Sequence, residues 1–121
     1  LLRILAIEDD PDTREMYARM LKDEGHDAIL AADGVEGLLL LDPKPDLVIL
    51  DLALPGMDGY EVLRTMKADP TTDSIPVLVV SAKRFEAPGK RADVVATLQK
   101  PFDLPLLPAM VALVGADRPD R

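Results

Sequence analysis

Hydrophobic positions in this chain gather into five short runs: "LLRILAI" at residues 1–7, "AILAA" at 28–32, "LVIL" at 47–50, "IPVLVV" at 75–80 and "VVATL" at 94–98. Each is aliphatic, too short for a buried helix and bounded by polar or turn-forming residues, so five strands are expected. Between them apolar residues recur three and four apart, the period of a helix. The first helix is expected to start at Asp10 as N-cap with Pro11 at N1, to carry Met16, Tyr17, Met20 and Leu21 on one face, and to stop at Gly25. The second pairs Asp33 with Glu36 and ends before Pro43, and the third pairs Asp58 with Glu61 and turns Val62, Leu63 and Met66 to the core. Both pairs have the spacing of a capping box. A final helix from about Asp103 sets Leu104, Leu107, Val111 and Val114 at helical spacing, with Pro105 and Pro108 delaying its start by a turn.

Strands alternating with helices predict an α/β fold, a doubly wound five-stranded parallel sheet with helices on both faces, which explains why "LVIL" and "VLVV" are apolar throughout. In such a sheet the polar chemistry gathers outside the carboxyl ends of the strands, where the strand order reverses. Two of the expected strands end there on acids: Glu8, Asp9 and Asp10 follow the first, and Asp51 closes the third. If these strands are neighbours, the carboxylates meet at one edge, and a hard cation bound through oxygen relieves their repulsion. Asp10 and Asp58 precede helix starts and read as caps, outside that group.

Composition narrows the picture. At 121 residues, 48% hydrophobic and 3% aromatic, the chain matches one compact domain with an aliphatic core. Fourteen Lys and Arg (14) stand against 22 Asp and Glu, a net charge of −8. A grip on nucleic-acid phosphates or an anionic membrane is therefore not expected, whereas a divalent cation is a natural partner. The absence of Cys excludes disulfides and thiolate metal sites, and no apolar run approaches the ~20 residues of a membrane span, so a cytoplasmic setting is expected. The single histidine, His26, lies between Gly25 and Asp27 and reads as a solvated loop residue. Residues 1–115 are expected to form the domain and the polar 116–121 a tail or linker stub.

Four segments, "ILAIEDDPDTRE", "PDLVILDLALPGMDGYEVL", "IPVLVVSA" and "LQKPFD", occur in the order and at the strand ends that resemble the receiver domains of two-component response regulators. The resemblance spans nearly the whole chain. It implies a flavodoxin-like sheet of order 2-1-3-4-5 in which Asp51 is the phosphorylated aspartate. It further implies that Glu8 and Asp9 organise Mg²⁺ together with Asp51 and the backbone carbonyl of Ala53. Ser81 and the backbone N–H of Ala82 would contact the phosphoryl group, and Lys100 would pair with it, aimed by a cis peptide at Lys100–Pro101. The implied donor is a phosphohistidine on a sensor histidine kinase or a histidine phosphotransfer protein, and the output a downstream effector domain or protein. The chain would be a switch, not an enzyme in its own right, that assists its own phosphorylation and dephosphorylation.

The residues suit this chemistry, because phosphoryl transfer to a carboxylate needs positioning and charge neutralisation more than acid or base groups. Two other readings share the same sheet edge. A Mg²⁺-dependent aspartyl phosphatase would need a second acid two residues after the nucleophile, where this chain has Ala53. A receiver that docks partners without phosphorylation would be expected to have lost the acidic pair or the lysine, and both are present. The departures lie after Ser81. The stretch to Lys100 is shorter than is usual in the family by about one helical turn, and "APGK" is a poor helix interior, so the fourth helix is expected to be short or missing. Thr97 stands where the family commonly has an aromatic ring that swings inward, which makes the segment after Ser81 the expected switching element.

Overall fold

The computed structural model describes residues 2–81, 94–99, 108–109 and 111–112. The elements run β1 (Arg3–Ile7), α1 (Pro11–Asp23), β2 (Asp27–Ala31), α2 (Gly34–Leu39), β3 (Leu47–Asp51), α3 (Gly59–Ala68), β4 (Val77–Ser81) and β5 (Val94–Gln99). All five strands pair in parallel in one sheet of order β2-β1-β3-β4-β5. The five strands and the strand order are the expected ones. The fourth helix anticipated as short or missing, and the boundary near residue 115, lie outside the described residues.

Local chemistry sets the helix starts. Asp10 accepts the Thr13 amide at 3.1 Å with Pro11 in the first turn, Asp33 accepts the Glu36 amide at 2.8 Å, and Asp58 accepts the Glu61 amide at 2.9 Å. The Glu36 carboxylate also reaches back to the Ala32 amide at 2.8 Å, so both ends of that cap are occupied. At the end of α1 the amide of Gly25 donates to Lys22 and that of His26 to Leu21, each at 2.9 Å, with Gly25 at φ +86°. These two bonds and the left-handed glycine form a Schellman stop.

The stop also corrects the reading of His26 as a solvated loop residue. The turn folds the imidazole back to the entry of β1, where Nδ1 accepts the amide of Leu2, the residue before the strand, at 3.1 Å in a half-buried position. The expected face of α1 needs a correction too. Tyr17 and Leu21 are buried and Met20 is partly so, but Met16 is 38% exposed. One residue is a rotation of about 100° on a helix, which puts Met16 at the rim of the stripe centred on Tyr17 and Leu21.

Alternate residues of the central strands feed opposite faces of the sheet. Leu47 and Ile49 of β3 pack with Tyr17, Leu21 and Val111 on the α1 side. Val48 and Leu50 pack with Val62, Leu63 and Met66 on the α2–α3 side. Val62, Leu63 and Met66 are buried as their spacing predicts. Of the expected last helix, residues 108–109 and 111–112 are helical and Val111 is buried, while Leu104, Leu107 and Val114 lie outside the described residues.

Candidate functional site

The register of the sheet makes the site. β1 and β3 are hydrogen-bonded neighbours with Ile7 opposite Leu50, so the next residues, Glu8 and Asp51, leave the same edge side by side. Both are buried, Glu8 at 1% and Asp51 at 4% exposure, while Asp9 faces solvent. One carboxylate oxygen from each of the three acids lies within 4.8 Å of the others. The expected meeting of the acids is therefore found, and Asp10 is spent on its helix cap as the sequence indicates.

Backbone amides hold two of these carboxylates. Glu8 Oε2 accepts from the Asp10 amide at 3.1 Å and Asp51 Oδ1 from the Ala53 amide at 3.0 Å. An all-oxygen set of three carboxylates is the donor chemistry a hard divalent cation requires, so the residues fit Mg²⁺. Ala53 is exposed at the head of the loop that follows β3. That loop turns through Gly56, at φ +70°, and returns so that the Gly59 amide donates to Leu52 at 3.0 Å. A Cβ at Gly59 would stand 2.5 Å from Leu52 Cα and 2.7 Å from the Asp51 carbonyl oxygen, so α3 starts directly against the backbone that carries Asp51.

Ser81 ends β4 at 5% exposure, one residue beyond Val80, the register partner of Asp51. Across β5 it pairs with Gln99, the residue before Lys100, and Thr97 is exposed. Ala82, Lys100 and Pro101 with its expected cis bond lie outside the described residues, as does the expected switching segment after Ser81. One residue escaped the sequence reading. Arg14 Nη1 donates to the carbonyl oxygens of Glu8 at 2.9 Å and Asp9 at 3.1 Å. Its signal was available, because a side chain one turn into a helix leans back over the preceding loop.

The family model described as "Response regulator receiver domain" matches residues 4–112. The chain belongs to that family. It is 40% identical over 99% of its length to response regulator MprA of Mycobacterium sp. (strain KMS), covering 54% of that protein. It is 35% identical over 85% of its length to protein PilH of Pseudomonas aeruginosa, covering 88% of it. Among solved structures, response regulator protein TrrA from Thermotoga maritima in complex with Mg²⁺–BeF superposes with a TM-score of 0.81 at 26% identity, over 94% of this chain and 99% of that one. This receiver domain thus has the flavodoxin-like fold of its relatives and spans about half the length of the MprA proteins it matches. Receiver domains are the phosphoacceptor switches of two-component response regulators, bind Mg²⁺ at an acidic pocket, and interact with histidine kinases and effectors. Among the described residues no helix is long and apolar enough to cross a membrane.

Proposed function

We propose that Asp51 is the phosphoacceptor of this receiver domain. The observation that supports this most is the convergence of Glu8, Asp9 and Asp51, two of them buried, within 4.8 Å at the carboxyl edge of adjacent parallel strands. A carboxylate oxygen of Asp51 attacks the phosphorus of a phosphohistidine on a partner kinase or phosphotransfer protein. The phosphorus–nitrogen bond breaks, its electron pair stays on the imidazole nitrogen, and an acyl phosphate remains on Asp51. Glu8, Asp9, Asp51 and the Ala53 carbonyl would hold Mg²⁺, which supplies positive charge to the transferring oxygens. The Ala53 amide bonded to Asp51 Oδ1 holds one oxygen in place, which orients the carboxylate for in-line attack. Ser81, the Ala82 amide and Lys100 would take the hydrogen bonds and charge of the new phosphoryl group.

In this reading residues 1–115 act as a cytoplasmic switch that assists its own phosphorylation, 116–121 lead out of it, and the output is a surface presented to an effector domain or protein. The test is incubation with acetyl phosphate with and without Mg²⁺, followed by mapping of the modified residue. Uptake should require Mg²⁺, fall on Asp51 and vanish in Asp51→Asn. Undiminished labelling of that variant would move the acceptor elsewhere.

A further inference from the structure

Arg14 stands one turn into α1, with its amide bonded to the Asp10 carbonyl at 2.9 Å. Its Nη1 amino group spans the carbonyl oxygens of Glu8 and Asp9 at 2.9 and 3.1 Å, the two consecutive acids whose carboxylates approach Asp51. A cation so near the positive end of a helix is electrostatically disfavoured, so its placement there calls for a compensating contact. The helix cap does not require it, because Asp10 already serves the Thr13 amide and Pro11 brings no donor to the first turn.

We infer that Arg14 is a positioning residue for the metal centre. By tying two successive carbonyls to one planar group, it fixes the backbone between Glu8 and Asp9 and thereby the directions in which their carboxylates leave the chain. The inference rests on the reading that these acids hold Mg²⁺. Asp9 depends on it most, since Glu8 is already buried and bonded to the Asp10 amide, whereas Asp9 is exposed. Charge alone predicts the opposite effect: a guanidinium beside a cation site repels the cation, so its removal would tighten binding. The sign of the change in Mg²⁺ affinity therefore separates positioning from charge.

The experiment is a calorimetric Mg²⁺ titration of the chain as wild type, Arg14→Gln, Arg14→Lys and Asp9→Asn, with melts of each protein in the absence of metal. Arg14→Gln should bind Mg²⁺ roughly tenfold more weakly, the scale of losing a group that orients a ligand. Arg14→Lys should not restore wild-type affinity, because its ammonium ends one bond short of Nη1 and is not held in direction by a planar group. Wild-type or tighter binding by Arg14→Gln overturns the inference. Should that variant melt too low to titrate, Arg14→Lys decides: its Asp9 and Asp51 amide resonances should shift from their wild-type positions, and unchanged resonances with unchanged affinity overturn it equally. Wild-type affinity in Asp9→Asn would instead remove the metal reading beneath it.

Discussion

Asp51 and Asp9 bring like charges within 4.8 Å of each other and of Glu8. At an effective dielectric constant near 20 one such pair repels by about 3 kcal/mol, and the exposure of Asp9 and dissolved salt reduce this to about 1. Asp51→Asn keeps an oxygen for the Ala53 amide and removes one charge, so it should raise the metal-free melting temperature by a few degrees. A lower melting temperature in metal-free buffer would contradict the repulsion. His26 makes stability depend on pH. Burial is the main cause that holds its imidazole below the ordinary value of 6.5, and the neutral Nδ1 accepts the Leu2 amide. A histidine whose folded value is depressed contributes stability that is complete above 6.5 and is lost as pH falls through the lower folded value. Melts at pH 7.5 and 5.5 should accordingly show a larger drop in the wild type than in His26→Gln.

Among the elements, the passage from β3 into α3 is the most constrained by shape. Gly59→Ala would push a methyl group against the backbone of Leu52 and Asp51, neither of which can turn aside as a side-chain tip would. The expected cost is about 1–3 kcal/mol together with slower phosphate uptake at Asp51, measured by denaturation and by acetyl phosphate labelling. Gly56→Ala meets open space but keeps a left-handed φ of +70°, so it should lose about 1 kcal/mol without displacing Asp51. The starts of α1, α2 and α3 were legible in the sequence because Asp10, Asp33 and Asp58 act within three residues. The three acids were legible too, since strand ends are local and the edge they share follows from parallel pairing. Met16 and His26 were not. Which side of a stripe meets the sheet depends on how the helix lies across it, and His26 found its partner 24 residues away at Leu2. The position of Arg14 over the loop was legible from its place one turn into α1, but its partners were not, because carbonyl oxygens belong to every residue.

For the whole molecule, cation binding at these acids would be linked to folding. The acids come together only when β1 and β3 pair, so Mg²⁺ at ten times its dissociation constant should stabilise the fold by about 1.4 kcal/mol. A melting temperature that rises with MgCl₂, returns with EDTA and does not move with KCl at matched ionic strength would bear this out, and Asp9→Asn should flatten the response. The sheet that gathers the acids also separates the buried apolar side chains into two sets, Leu47 and Ile49 with α1, Val48 and Leu50 with α2 and α3. Distant substitutions that share no partner add independently. A lineage of such chains is thus free to revise one face while the other stands still, in small steps and at different times. The strand edge that carries Glu8 and Asp51 answers to both histories.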